Sequence, residues 1–268
     1  MQIDRTNIFD IINKCNVRPD KDYGQNFLVE PSICEKIVSF INIEQEDKVL
    51  EIGPGLGSLT NFICKTGVNT TAVDIDERMI SFLMVSLQEF NNLTLVNDDI
   101  RRIDVSSFTK IVANLPYNIT TEVIIYLLQN ALKAKKLALM CQSETFAHFF
   151  DVEGKEYGPS SVLVHLSGTI KKLLTVKAGS FHPVPKCNSI VFEIDLTREL
   201  DYDKVIKTYN LSKQLFLNRR KTIYNNLSNY LKNKDKAEAI LNKLNIPLNY
   251  RPEQISPDSY YQMSDLID

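Results

Sequence analysis

The sequence predicts an α/β fold built on a parallel sheet, followed by a smaller all-α domain, and three observations carry that prediction. Short β-branched runs, KVLEIG, NTTAVDID, NLTLVND, KIVANL and KLALMCQ, start at residue 48, and each precedes a longer amphipathic or mixed segment. That alternation marks a βαβ series. Two later strand-like runs, KKLLTVKAGSF and SIVFEIDL, flank the turn-rich HPVPKCN and suit an antiparallel pair at a sheet edge. After Leu196 the texture changes to helical spacing of Ile, Leu, Phe and Tyr among many Lys and Asn. The expected division is therefore residues 1–197 and 198–268, the second ending in a helix capped by Ser256 or Asp258.

A chain of 268 residues with 44% hydrophobic content can fill a core for one large and one small domain. No apolar run approaches the roughly 20 residues that span a bilayer, and the first residues lack a signal-type apolar core, so a cytoplasmic protein is expected. The five cysteines, Cys15, Cys34, Cys64, Cys141 and Cys187, are odd in number, scattered, and never form CxxC. Their pattern argues against a disulfide framework and against a zinc site, so no metal is expected. A net charge of −2 and a pI near 6.0 give no whole-chain sign of nucleic-acid binding. The average conceals a local bias: residues 204–251 hold eleven Lys or Arg against two acids. Such a run suits either a solvated helical face or contact with phosphates.

VLEIGPGLGSLT sets Gly53, Gly55 and Gly57 between a strand and a helix, where a tight turn exposes backbone amides to a ligand. The spacing is GxGxG, unlike the GxGxxG of dinucleotide binders, and Glu51 precedes it. An adenosyl ligand with an amino-acid tail can lie against such a turn. Asp74, at the end of the next strand, stands where a carboxylate accepts from ribose hydroxyls, and is preferred to Asp76. Asp99, preferred to Asp98, follows the third strand and can hold the exocyclic amine of an adenine. NAD and S-adenosylmethionine both fit these features. His148, His165 and His182 show no setting suited to the acid-base work of an alcohol dehydrogenase, which disfavours NAD.

IVANLPYNITTEV places Asn114 at the carboxyl edge of the fourth strand. Its amide can accept from an amino group. Pro116 biases Leu115 toward extended backbone, so the Leu115 carbonyl offers a second acceptor. Two acceptors on one exocyclic NH2 would aim the nitrogen lone pair at a methyl sulfonium, and Tyr117 would stack the base. Methyl transfer of this kind is a direct displacement that needs positioning more than a strong base.

These residues resemble the KsgA-type small-subunit ribosomal RNA adenine N6-dimethyltransferases, and the resemblance covers nearly the whole chain. It rests on RPDKDYGQNFLVEP, VLEIGPGLGSLT, AVDID, NLPYNITT, MCQSETFAHFF, EYGPSSVLV, FHPVPKCNS, FLNRRKTIYNNL and RPEQIS, in that order. It implies a Rossmann-like class I S-adenosylmethionine-dependent methyltransferase domain with a small C-terminal all-α domain. It also implies a cofactor site at Asn26, Leu28, Gly53, Gly55, Asp74, Asp99 and Asn114, with the N-terminal 30 residues contributing. By the same resemblance, Tyr117 and Phe181 hold the target adenine, and Arg219, Arg220 and Lys221 meet RNA phosphates. The implied reaction is dimethylation of two adjacent adenines in a hairpin loop near the 3′ end of small-subunit rRNA, by a monomer acting on a ribosomal subunit or assembly intermediate during ribosome biogenesis. Asp74 stands where the family commonly has Glu, and Ser143 where it usually has Lys. The Erm-type large-subunit rRNA methyltransferases share the glycine loop and the FHP turn, but NLPYN and NRRKTIYNNL favour the small-subunit enzymes. A non-catalytic RNA-binding assembly factor on the same fold is disfavoured because every proposed methyl-transfer position is filled.

Overall fold

The computed structural model describes residues 2–14, 19, 25–115, 119–196 and 201–267. Helix α1 (Ile8–Lys14) turns Ile8, Ile11 and Ile12 onto Phe27 of the short strand β1 (Phe27–Leu28), with Leu56 and Met79 completing the cluster. Helix α2 (Pro31–Ile41) starts on a proline, whose missing N–H is no loss in a first turn, and buries Cys34, Ile37 and Ile41. The βαβ series then follows as the sequence predicts: β2 (Lys48–Ile52), α3 (Thr60–Cys64), β3 (Asn69–Asp74), α4 (Glu77–Ser86), β4 (Leu93–Asn97), β5 (Lys110–Asn114), α5 (Thr120–Asn130) and β6 (Lys136–Gln142). Between β4 and β5 the chain makes only a 3₁₀ turn, Ile100–Arg102, started by the Asp99 side chain. Beyond β6 come α6 (Ser143–Phe150), α7 (Pro159–Ser167), β7 (Thr169–Val176), β8 (Phe181–His182) and β9 (Ser189–Asp195).

Among the described residues, seven strands form one sheet in the order β4-β3-β2-β5-β6-β9-β7. The pairs β2 with β3, β3 with β4, β2 with β5, and β5 with β6 are parallel; β9 runs antiparallel to β6. Central strands covered on both faces need continuous apolar runs, and Val49, Leu50, Ile111, Val112, Leu137 and Leu139 are fully buried. The chain order reverses at β2, whose Ile52 lies opposite Val73 of β3 and Ala113 of β5. Gly53, Asp74 and Asn114 therefore emerge together at the carboxyl edge, the switch point where α/β sheets bind ligands.

The chain divides into two units, Met1–Thr145 with Lys171–Leu196, and Phe146–Ile170 with Thr197–Asp268. Residues 146–170 belong with the C-terminal helices rather than with the sheet. The reason is packing: α7 lies against α8 (Tyr202–Phe216) and α11 (Pro257–Leu266), burying Val162, Leu163, Val164 and Leu166. Within this unit α9 (Ile223–Leu231) and α10 (Lys234–Lys243) complete the helical set, and Ser256 caps α11 by accepting from the Ser259 amide at 3.1 Å. Its aromatic centre joins Tyr157, Phe216 and Tyr260, with the Tyr157 hydroxyl donating to the Ile255 carbonyl at 2.8 Å and that of Tyr260 to Pro252 at 2.9 Å.

Arg219, expected to meet RNA, is committed inside this unit. Its Nη1 and Nη2 donate to the carbonyls of Lys155 at 2.8 Å and Gly154 at 3.0 Å, its Nε lies 3.9 Å from Glu253, and its guanidinium sits 5.5 Å from the Phe216 ring centroid. A planar five-donor group suits this strap because it can bind several carbonyls at once. Arg220 and Lys221 are exposed on the same turn. Arg219→Ala should therefore lower stability by roughly 1–3 kcal/mol in chemical denaturation, because it also leaves half-buried Glu253 without its counter-charge, whereas Arg220→Ala should stay within about 0.5 kcal/mol. Equal effects of the two substitutions would contradict the strap.

Candidate functional site

The turn after β2 has left-handed backbone at Gly53 (φ +67) and Gly55 (φ +54), which side chains with a Cβ rarely adopt. The Gly53 amide donates to the Val73 carbonyl at 2.9 Å, closing the turn onto β3, and the Gly55 amide donates to Asp74 Oδ2 at 3.2 Å. A Cβ on Gly55 would come within 3.0 Å of the Phe27 ring, so β1 lies directly over the turn. Ser58 reinforces this by donating its hydroxyl to the Leu28 carbonyl at 2.7 Å. The N-terminal segment thereby supplies one wall of a cavity, through Asn26, Phe27 and Leu28, while Gly53, Gly55, Asp74, Asp99 and Asn114 supply the others. All seven residues expected to hold a cofactor line this one cavity.

Three acids around it differ in electrostatic state. Glu51, which lines the cavity, is 1% exposed, and among the described residues its Oε2 has no hydrogen-bond partner. Burial pushes its carboxyl up to about 8, with nearby Thr60 offsetting part of the effect and Asp74 adding to it. Asp74 is raised to about 6 by burial, against the amides of Asp76 and Gly55 that favour its charged form. Asp99 moves the other way: hydrogen bonds from the Arg101 side chain hold its carboxyl below the usual range. Asp76, the alternative to Asp74, is used elsewhere. It caps α4 by accepting from the Arg78 amide at 3.0 Å and also accepts from Gln25 Nε2 at 2.8 Å.

Asn114 is the last residue of β5, and its Nδ2 donates to the Asn26 carbonyl at 3.2 Å. That bond fixes the amide so that Oδ1 remains the acceptor. The Leu115 amide donates to the Met140 carbonyl at 3.0 Å, holding the start of the box against β6. Pro116 and Tyr117 lie outside the described residues. Phe181 is 2% exposed and packs in the core with Leu28, Val176 and Val191. Phe181 pairs with Leu28, and the two point together into the core, whereas His182 pairs with Phe27. Ser58 and Arg101 were not singled out from the sequence; Arg101 stands two residues after Asp99, a local hint that the two would pair.

The family model for ribosomal RNA adenine dimethylase matches residues 16–268. The chain belongs to that family. It is 35% identical to the ribosomal RNA small subunit methyltransferase A of Malacoplasma penetrans, over 94% of this chain and 93% of that protein. A protein of the same name from Clostridium botulinum is 34% identical, over 97% of this chain and 98% of the relative. Among solved structures, a dimethyladenosine transferase from Plasmodium falciparum superposes with a TM-score of 0.74 at 25% identity, covering 88% of this chain and 95% of that one. The 23S rRNA methyltransferase ErmE superposes at 0.71 with 21% identity, over 91% and 100%, a likeness of fold. The protein is thus a class I S-adenosylmethionine-dependent methyltransferase, and the expected fold class holds.

A carboxyl whose folded pKa is raised holds its proton more tightly in the folded chain than in the unfolded one. For Glu51 this stabilisation is complete below about pH 4.5 and is lost as the pH rises through about 8. The ligand-free protein should lose stability across that window by up to about 1.4 kcal/mol per pH unit for each proton of difference. Glu51→Gln, which stays neutral, should reduce the loss, most distinctly above about pH 6, the midpoint of Asp74. Parallel pH profiles of denaturation for the two proteins would contradict a neutral buried Glu51.

Proposed function

We propose that this protein transfers methyl groups from S-adenosylmethionine to N6 of two adjacent adenines in the 3′-terminal hairpin loop of small-subunit (16S) rRNA. The substrate is the small ribosomal subunit or an assembly intermediate, and the setting is ribosome biogenesis in the cytoplasm. The observation that carries this reading is the convergence of Asp74, Asp99 and Asn114 on one cavity from three strand ends. The small-subunit target is supported by the names of the relatives and by NLPYN and NRRKTIYNNL.

The cavity fits the cofactor by its own chemistry. Left-handed glycines leave the backbone bare where an amino-acid tail would lie, and the Glu51 Oε2, unpartnered among the described residues, suits an ammonium or a bridging water. Asp74 would accept from the ribose hydroxyls and Asp99 from the adenine amine, with Asn26 and Leu28 closing the N-terminal wall. When bound, the cofactor supplies an electrophilic methyl group on sulfur.

Asn114 Oδ1 and the Leu115 carbonyl would receive the two hydrogens of the target amine and turn its lone pair toward that methyl. Pro116 would fix the turn that presents Leu115, and Tyr117 would stack the target base. A base in a stacked loop must be extruded to reach such a site. Arg220 and Lys221, exposed on the helical unit, would meet RNA phosphates, with Arg219 shaping the turn that carries them.

With labelled S-adenosylmethionine and both ribosomal subunits offered unmodified, label should enter the small subunit alone and digest to N6,N6-dimethyladenosine. Asn114→Ala should cut turnover by roughly 10²-fold while RNA affinity changes little. Label confined to the large subunit would overturn the substrate, and full turnover in the variant would overturn the role of Asn114.

A further inference from the structure

Asp99, read above as the acceptor for the adenine amine, is engaged among the described residues by Arg101. Arg101 approaches it through its backbone amide (3.0 Å to Oδ1), its Nε (3.0 and 3.1 Å to Oδ1 and Oδ2) and its Nη2 (2.5 Å to Oδ2). A carboxylate offers about four acceptor positions, and these donors take them. The remaining nitrogen, Nη1, donates to Glu122 Oε2 at 2.9 Å, in the first turn of α5. Arg101 therefore bridges the turn after β4 and the helix after β5, and it lines the same cavity as Asn114 and Leu115.

Two facts make this an exchangeable contact rather than a fixed brace. The Arg101 side chain is 46% exposed, so its ion pair is screened by water and worth little. The second carboxylate, on Glu122, is itself exposed and would keep the guanidinium at the rim after Asp99 lets go. An arginine released there stays at the cavity that also holds Asn114 and Leu115, where a target nucleotide would enter, and a guanidinium matches phosphate geometry.

We propose that Arg101 is a positioning residue that couples the two substrates: it holds Asp99 until the cofactor's adenine amine displaces it toward an RNA phosphate. This rests on the assignment of Asp99 to the adenine amine. A ligand lacking that amine cannot replace Arg101 and leaves it in place. By linkage, whatever strengthening the amine-bearing ligand gives to RNA, RNA returns to the ligand.

The test measures binding of S-adenosylhomocysteine and its deaminated analogue S-inosylhomocysteine, equal in charge, with and without unmethylated small ribosomal subunits. Arg101→Ala should tighten S-adenosylhomocysteine roughly two- to fivefold in the absence of RNA and leave the inosyl analogue unchanged or weaker. In the unaltered protein S-adenosylhomocysteine should strengthen subunit binding severalfold and the inosyl analogue should not, and Arg101→Ala should abolish that difference. A purely structural Arg101 would shift both ligands alike and leave the coupling intact; either result overturns the proposal. Asp99→Ala separates the two layers: if that variant still prefers the amine-bearing ligand, Asp99 is not the amine's acceptor and the assignment itself falls.

Discussion

Parallel pairing of β2 with β3 on one side and β5 on the other is the constraint on which the site depends. Ile52 lies opposite both Val73 and Ala113, so three strands finish level, and the residue after each ladder faces one cavity. A slip of one residue would turn every side chain of a strand to the opposite face, and the apolar residues buried on both sides of β2 and β5 forbid it. The backbone then has one way out of β2: Gly53 donates back to Val73 and turns through left-handed geometry. Function follows from register, because Asp74 and Asn114 owe their separation to the same ladder.

The acids around this edge divide the electrostatic work. Burial raises Glu51 to about 8 and Asp74 to about 6, while hydrogen bonds from Arg101 hold Asp99 below the usual carboxylate range. Three carboxylates charged together beside one cavity would repel one another. A cofactor carrying an ammonium and a sulfonium meets instead a site whose negative charge is graded, largest at the exposed end where Arg101 balances it.

Much of this was legible in the sequence, for physical reasons that also set its limits. Strands covered on both faces advertise themselves as unbroken apolar runs, so β2 to β6 were read correctly, and left-handed turns demand glycine, so the cradle was visible. The burial of Phe181 was not legible, because an aromatic before a turn looks the same whether it faces a ligand or a core; its pairing with Leu28 shows the packing. The resemblance grouped Arg219 with Arg220 and Lys221, and nothing local in the sequence marks its carbonyl partners 64 and 65 residues away. Residues 146–170 were assigned to the first domain because a boundary read along the chain cannot show α7 leaving the sheet to join α8. Arg101 went unremarked since no periodicity links it to Glu122, which lies 21 residues on.

The central claim is that strand register at this edge builds a cofactor site with Asp74 at the ribose and Asp99 at the adenine. A crystal structure with S-adenosylhomocysteine tests it most directly. The account predicts both ribose hydroxyls within hydrogen-bond distance of the Asp74 carboxylate, the adenine amine on Asp99, and the amino-acid tail along Gly53 and Gly55 above Glu51. A ribose bound to Asp76, or an adenine seated away from Asp99, would contradict it.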